Sequence, residues 1–256
     1  ANLPAGELRT SLAKRVETVT FARDDPRQRE LVRSARVRIV FGTDAAAEAI
    51  HGLPHPLDSI GISFVDRASE TWLEPAAVDD EVLTTLIKVF AIYGQAGCTS
   101  PKRVILLSGS QGEACDLRDR LLGLWPKVVG AETAMHTASG NLMAEQWLRA
   151  LGWDPKRTPG NTAVLASGSH ELEGFESPMA LRIQSATPEE ALADLPPNIQ
   201  TIGYALEKPE DTAWLKLLAG SQVLRFVPLG QMHYFGSHWD GQDFWRQCFE
   251  GMEIRS

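Results

Sequence analysis

A glycine-rich loop near the middle of the chain holds one cysteine, Cys98. Gly94 and Gly97 allow backbone conformations that other residues disfavour. A thiol at the tip of such a loop is accessible, and backbone N–H groups around it can stabilise a thiolate or an oxyanion. Lys102 and Arg103 follow and add positive potential. Cys98 is therefore a candidate nucleophile, although a lone cysteine is more often a small buried apolar residue.

The other cysteines and the histidines are less suited to chemistry. Cys115 and Cys248 lie in helical patterns beside apolar neighbours, which predicts packing roles. His233 and His238 are close in sequence but lack a third ligand, so we expect no metal site. His136 lies at the edge of an element, where we expect a structural role.

The elements that must position the loop alternate between strands and helices. An amphipathic helix opened by Asp79 and Asp80 is predicted before the loop, and a strand over 103–107 is predicted after it. This alternation favours an α/β fold with a largely parallel sheet flanked by helices. Further strands are predicted over 37–41, 60–65, 162–166, 179–183, 199–206 and 223–227, and helices over 45–50, 111–124, 140–151, 188–194, 209–219 and 240–250.

Composition excludes several classes of protein. The 256 residues include 43% hydrophobic and 23% charged residues, which indicates a globular chain rather than a disordered one. The net charge of −8 argues against nucleic-acid binding. We find no apolar run long enough for a membrane span and no signal peptide. With three unpaired cysteines, we expect a reduced, cytoplasmic protein.

Four segments in order carry a family resemblance. The stretch 94–101, Gly-Gln-Ala-Gly-Cys-Thr-Ser-Pro, resembles the nucleophile loop of the aldehyde dehydrogenase superfamily, and its second half is closest to the LuxC-type long-chain acyl-CoA reductases. The stretch 40–44 resembles a strand and glycine turn late in that family's nucleotide-binding domain. The stretch 61–69 resembles the opening of its catalytic domain, and 227–230 with 238–241 resembles its C-terminal region.

The resemblance implies a fold and a reaction. The fold is an aldehyde-dehydrogenase-like catalytic domain, preceded by the tail end of a Rossmann-like nucleotide-binding domain. Cys98 matches the nucleophile that attacks an acyl-CoA or acyl-carrier-protein thioester, and its backbone N–H matches an oxyanion donor. Hydride from NADPH or NADH then yields an aldehyde. Gly42 and Thr43 match the turn near the cofactor. A homodimer is compatible with the resemblance, since dimers are frequent in the family, and the oligomeric state stays open.

Two departures from the family pattern involve glutamates. The family's general-base Glu has no counterpart in the stretch 62–65, and neither Glu70 nor Glu74 matches it. This absence suits reduction, because a thioester reductase need not activate water. The motif that holds the nicotinamide ribose is altered in the stretch 174–178, which leaves the roles of Glu173 and Glu176 open.

The third departure is length. The expected domains are 1–56 as the last βα units of the nucleotide-binding domain, 57–228 as the catalytic domain and 229–256 as a C-terminal segment. A dinucleotide site of two βαβαβ halves does not fit before residue 57. We therefore expect either a fragment, with the cofactor-binding domain largely missing, or a protein that has lost it.

Two alternatives stay open at this point. One is a cofactor-independent acyltransferase or thioesterase that uses Cys98 and the same acyl-enzyme. The other is a non-catalytic binding or scaffold module. Acyl chain length, acyl carrier and the choice between NADPH and NADH are not set by any residue identified above.

Overall fold

The chain folds into two compact units, Ala1–Val65 and Asp66–Ser256. The structure is a computed structural model and describes residues 6–94, 97–130, 133–169, 177 and 179–249. Each unit has its own sheet, which is parallel in the first unit and mostly parallel in the second.

The first unit contains one β–α–β motif. Its two strands pair in parallel, in a register that joins Val37 to Ile60 and Gly42 to Val65. The predicted boundary after residue 56 therefore differs from the division after Val65, because the strand that follows residue 56 pairs within the first unit. The elements are α1 (Glu7–Ala13), α2 (Pro26–Ser34), β1 (Val37–Gly42), α3 (Asp44–His51) and β2 (Ile60–Val65).

The second unit is built on a seven-stranded sheet, with a two-stranded hairpin near its end. The strands are β3 (Ala68–Leu73), β4 (Arg103–Leu107), β5 (Asp154–Arg157), β6 (Val164–Ser167), β7 (Ala180–Ala186), β8 (Ile199–Ala205), β9 (Arg225–Pro228), β10 (His238–Trp239) and β11 (Gln242–Asp243). The large sheet has the order β5-β6-β7-β4-β3-β8-β9. All its neighbours are parallel except β5 and β6, which confirms the predicted largely parallel α/β fold.

Helices cover both faces of this sheet. They are α4 (Asp80–Ala91), α5 (Gln111–Leu124), α6 (Met135–Ala150), α7 (Pro188–Ala193), α8 (Thr212–Leu218) and α9 (Phe244–Cys248), with 3-10 turns at Pro75–Ala77, Trp125–Lys127, Pro159–Asn161 and Leu229–Gln231. Successive strand residues alternate between faces: Leu73 packs in the cluster with α4 and α5, and Trp72 in the cluster with α7 and α8. The central strands are therefore buried on both sides.

One predicted helix differs from the structure, and two strands were not predicted. The helix expected over 240–250 is the β10–β11 hairpin followed by α9, because Asp240 and Gly241 have φ of +50° and +70° and form a two-residue turn. Strand β3 was not predicted, because polar residues interrupt its apolar pattern although all six positions are buried. Strand β5 was read as loop because it contains Pro155, which is tolerated since β5 is an edge strand.

One expectation from composition concerns membranes. Over the ranges that the structure describes, no helix has both the length and the apolar content needed to cross a bilayer.

Candidate active site around Cys98

The Cys98 loop connects α4 to β4, and its two glycines have separate structural causes. Gly94 has φ of +56°, in the left-handed region that favours glycine. At Gly97 a Cβ atom would lie 3.2 Å from Cδ2 of Tyr93, so a side chain would crowd that ring. The backbone N–H of Ser100 donates to the Gly97 carbonyl at 2.9 Å, which closes a turn around Cys98.

The turn is fastened to β3 through its backbone. The Ser69 hydroxyl donates to the Cys98 carbonyl at 2.7 Å. The Lys102 N–H donates to the Ser69 carbonyl at 2.9 Å. Ser69 is buried, so these bonds hold the cysteine at the amino end of β3.

A histidine from the 229–256 segment fastens the other side of the loop. His233 Nε2 lies 2.7 Å from the Val89 carbonyl, and its Nδ1 lies 2.5 Å from the Thr99 hydroxyl. Because a carbonyl only accepts, Nε2 carries the proton in the neutral ring, and the Thr99 hydroxyl donates to Nδ1. The Tyr93 ring packs edge-on against the imidazole, with centroids 4.9 Å apart. His233 therefore fastens the loop beside Cys98.

The amino ends of three parallel strands meet beside this loop. Ser69 on β3 is in register with Thr201 on β8, which is in register with Arg225 on β9. Gln200 precedes Thr201 and is fully buried, and its side chain lowers the pKa of the Cys98 thiol. Gln200 and Arg225 were not identified in the sequence as site residues.

Asp240 completes the polar surroundings of Cys98. It lies in the Trp-Asp-Gly turn between β10 and β11, and its side chain is buried and accepts a hydrogen bond from Gln200 Nε2. Asp243, not Asp240, caps the next helix by accepting from the Arg246 N–H at 3.2 Å.

Arg225 is held in place by backbone carbonyls. It donates to the carbonyls of Met232 and Tyr234, each at 3.1 Å, and lies 4.3 Å from the Trp239 ring centroid. These contacts join β9 to the hairpin that carries Asp240.

Burial and the neighbouring groups shift the pKa of the Cys98 thiol in both directions. Partial burial raises its pKa, and the Asp240 carboxylate raises it further. The Gln200 side chain, the backbone N–H of Cys98 and the Arg225 charge lower the pKa, but by less in total. The raised pKa keeps the thiol mainly protonated near neutral pH.

The other two cysteines differ less from Cys98 than expected. Cys115 and Cys248 are half-buried, as Cys98 is, so exposure does not distinguish the three. The Cys115 sulfur lies 3.2 Å from the Ser167 hydroxyl. What distinguishes Cys98 is the set of charged and amide groups around it.

Several charged residues near the loop have structural partners. Arg103 is buried and pairs with Glu70 at 2.7 Å and with Asp194, so its charge is not available to Cys98 as expected. Glu74 accepts a hydrogen bond from the Glu207 N–H at 2.7 Å. His136 is exposed in the first turn of α6.

The cofactor turn predicted at Gly42 and Thr43 lies in the first unit, at the end of β1. The Thr43 hydroxyl accepts from the Ala46 N–H at 3.2 Å and so caps α3. A cavity of about 540 Å³ lies beside this turn, lined by residues that include Arg23, Arg29 and Thr43. A single β–α–β motif is less than the two βαβαβ halves of a dinucleotide site, so the described residues do not by themselves fit a whole nicotinamide cofactor.

Two further predictions concern glutamates and metals. Glu173 and Glu176, whose roles were left open, lie outside the described residues. Within the described part of the chain, no group of three or more His, Cys, Asp or Glu residues could hold a metal ion.

Comparison with known proteins connects this geometry to a family. The family model described as acyl-CoA reductase (LuxC) matches residues 2–123, which include Cys98. No curated protein matches the chain. The matches with solved structures below agree with the aldehyde-dehydrogenase-like, LuxC-type resemblance seen in the four motifs.

Solved aldehyde dehydrogenases share the fold at low sequence identity. An NAD-dependent benzaldehyde dehydrogenase from Corynebacterium glutamicum is 11% identical with a TM-score of 0.57, and the match covers 82% of this chain and 50% of that one. An aldehyde dehydrogenase from Bartonella henselae is 10% identical with a TM-score of 0.55, covering 78% and 47%. A 1-pyrroline-5-carboxylate dehydrogenase from Thermus with bound NAD is 13% identical with a TM-score of 0.51, covering 76% and 42%. The chain spans about half the length of these enzymes.

Proposed function

We propose that this chain carries the acyl-transfer centre of an acyl-thioester reductase, with Cys98 as the nucleophile. The observation that carries the proposal is the loop itself, a cysteine on a turn held by Ser69 and Thr99 and surrounded by Gln200 and Arg225. The match of residues 2–123 to the acyl-CoA reductase model supports an acyl thioester as the substrate.

The first half-reaction follows from the residues of this chain. The Cys98 thiolate attacks the acyl carbonyl carbon, a new carbon–sulfur bond forms, and the bond to the departing thiol breaks. The acyl group is then held as a thioester on Cys98. The Cys98 thiol loses one proton when its thiolate forms, and the departing thiolate takes up one proton, so the step balances. The Cys98 backbone N–H, which lowers the pKa of the thiol, is the donor that we propose for the developing oxyanion.

The second half-reaction needs a hydride donor. A nicotinamide cofactor, if bound, would supply hydride to the acyl carbon, and the Cys98 thiolate would leave as the aldehyde forms. Gly42 and Thr43 are the residues of this chain that we propose to lie near it, and the NAD named with the Thermus structure is in keeping with a cofactor of this kind. No residue identified here separates NADPH from NADH.

Intact mass spectrometry tests the first half-reaction. Incubation with a long-chain acyl-CoA is expected to add one acyl mass, which neutral hydroxylamine removes. Cys98→Ser is expected to lose the adduct, and the matched control Cys115→Ser is expected to keep it, since Cys115 is half-buried to a similar degree. An adduct that survives in Cys98→Ser would overturn the assignment of the nucleophile.

The same experiment separates reduction from cofactor-independent transfer. A reductase without cofactor accumulates the acyl-enzyme and releases little free acid. Steady release of free acid or transfer to an added thiol, without any nicotinamide, would favour the acyltransferase or thioesterase alternative. No adduct under any condition would favour the scaffold alternative.

A further inference from the structure

The turn that carries Cys98 can be identified from its backbone. The Ser100 N–H donates to the Gly97 carbonyl at 2.9 Å. Cys98 and Thr99 are therefore the two central residues, and the positive-φ residues of the described part of the chain include neither of them. Type II turns and both mirror-image turns need a positive φ at one or both central positions, so this turn is type I.

Two backbone N–H groups at the centre of this turn are unused. Within the described residues, neither the Cys98 N–H nor the Thr99 N–H donates to another residue. The central residues of a type I turn have φ and ψ close to helical values, so these N–H groups point to the same side, as the first N–H groups of a helix do. The turn therefore offers two neighbouring donors, one of which belongs to the nucleophile itself.

Ser69 fixes the peptide group between the two central residues. Its hydroxyl donates to the Cys98 carbonyl at 2.7 Å, and a planar trans peptide points its N–H opposite to its carbonyl. The Thr99 N–H is thus directed away from β3. Turn types I and II differ by rotation of this central peptide, so the bond from Ser69 also opposes that rotation. Ser69 is buried, and its own carbonyl accepts from the Lys102 N–H at 2.9 Å.

Both peptide groups that carry the unused N–H groups accept a hydrogen bond at their carbonyls. The Gly97 carbonyl, in the same peptide as the Cys98 N–H, accepts from Ser100. The Cys98 carbonyl, in the same peptide as the Thr99 N–H, accepts from Ser69. A hydrogen bond at the carbonyl polarises a peptide group and makes its N–H a stronger donor. The two N–H groups are therefore both oriented and strengthened as donors.

We propose that Thr99 is a catalytic residue through its backbone N–H, which donates together with the Cys98 N–H to the oxyanion at the acyl carbon, and that Ser69 is the positioning residue that directs it. Both roles rest on the proposed role of Cys98 as the nucleophile. When the Cys98 sulfur bonds to the acyl carbon, the carbonyl electron pair moves onto the oxygen. The two N–H groups stabilise this charge until the carbonyl re-forms and the bond to the departing thiolate breaks.

Replacing Thr99 by its α-hydroxy acid analogue tests the donor directly, because the resulting ester keeps the side chain and removes the N–H. Acyl-enzyme formation from an acyl-CoA, followed by intact mass spectrometry, is expected to slow about 10²–10³-fold, as on loss of other oxyanion donors. Alkylation of Cys98 by iodoacetamide forms no oxyanion, so its rate is expected to change little. The matched control is the same ester at Thr212, which begins α8 and whose N–H, within the described residues, also donates to no other residue.

Ser69→Ala tests the positioning residue and covers the case in which the ester does not fold. It leaves the Cys98 carbonyl without its donor, and acyl-enzyme formation is expected to slow about five- to tenfold, the factor that corresponds to one hydrogen bond between neutral groups. Ser69→Thr keeps the hydroxyl and is expected to recover most of the rate. Ser167→Ala is the matched control, because it removes another buried hydroxyl, one that accepts from Arg118 Nη1 at 2.9 Å on β6.

The ratio of the acylation rate to the alkylation rate separates this role from a merely structural one. A disturbed loop slows both reactions, whereas loss of an oxyanion donor slows acylation alone. Equal slowing of both reactions in the Thr99 ester, or acylation in Ser69→Ala as fast as in Ser167→Ala, would overturn the inference. If the unmodified chain is alkylated at Cys98 but forms no acyl-enzyme, the proposed function itself is wrong, so the two failures are distinguishable.

Discussion

The ion pair beneath the Cys98 loop is the part of the fold where a single substitution has the most predictable effect. Glu70 on β3 and Arg103 on β4 are in register and almost fully buried. Arg103 Nε donates to Glu70 at 2.9 Å, and the Trp72 indole N–H donates to the same carboxylate at 2.6 Å. The remaining donors of Arg103 reach the side chain and carbonyl of Asp194.

Arg103→Leu removes these bonds and leaves the Glu70 charge buried. Among the contacts that the structure describes, Glu70 would keep only the bond from Trp72. Breaking a buried pair in this way costs about 3–5 kcal/mol in the free energy of unfolding. Glu70→Gln in the same chain removes the charge but keeps an acceptor for Trp72. The double variant is therefore expected to recover about 2 kcal/mol of that loss.

Urea unfolding followed by tryptophan fluorescence is the assay. All seven Trp lie after residue 65, so the signal reports the second unit alone. The matched control is Arg120→Leu, which removes an exposed pair with Asp80 at 3.0 Å and is expected to cost less than about 1 kcal/mol. If the double variant is no more stable than Arg103→Leu, the cost does not come from an uncompensated charge and the reasoning fails.

The pH dependence of this effect has a definite sign. Burial raises the pKa of Glu70 even with Arg103 present, and loss of Arg103 raises it further. The folded variant thus binds a proton more readily than the unfolded chain does. Its stability is greatest below the unfolded pKa of Glu and is lost as pH rises through the folded pKa. The difference between Arg103→Leu and the unmodified chain is therefore expected to widen from pH 5 to pH 8.

Three further outcomes are expected. The Asp25 carboxyl titrates with a pKa of about 2, because it accepts hydrogen bonds from the Arg27 side chain and backbone, and carbon-detected NMR will show this as an unusually acidic carboxyl. His233→Phe keeps an aromatic ring but leaves the buried Thr99 hydroxyl unpaired, and it is expected to lower the free energy of unfolding in urea by about 1–2 kcal/mol. His238→Phe, at an exposed site, is expected to lower it by almost nothing. Calorimetry with NADPH and NADH shows weak or no binding to this chain, because its first unit has one β–α–β motif; a micromolar dissociation constant would contradict this.

The sequence allowed the alternating elements to be predicted where their apolar pattern was strong. The strand at 103–107 and the helix before the Cys98 loop were found, because nearly every buried position there is apolar. Strand β3 was missed because Glu70 and Thr71 interrupt its pattern, and the burial of Glu70 depends on Arg103 far along the chain. Such pairing over distance leaves no local periodicity.

Contacts between segments far apart in the chain also limit what the sequence predicts about the site. Cys98 was identifiable because its glycine-flanked loop is local. Ser69 and Gln200 are ordinary polar residues in their own segments, and they lie near Cys98 only because parallel strands bring their amino ends to one edge. His233 comes from the segment after β9 and contacts Thr99. The available signal for Gln200 was an amide inside a predicted strand with apolar neighbours.

The raised pKa of Cys98 has a consequence for the proposed reaction. Burial and the Asp240 charge make its thiolate scarce at neutral pH, which slows attack on a thioester. After attack, however, the tetrahedral adduct carries two sulfurs, and the thiol of lower pKa leaves faster. A coenzyme A thiol free in water has the ordinary pKa and departs in preference to Cys98. The Gln200 side chain partly offsets the effect of burial by lowering the pKa of Cys98 during attack. Because the Cys98 pKa still exceeds that of the departing thiol, the adduct breaks down toward the acyl-enzyme rather than back to the substrate.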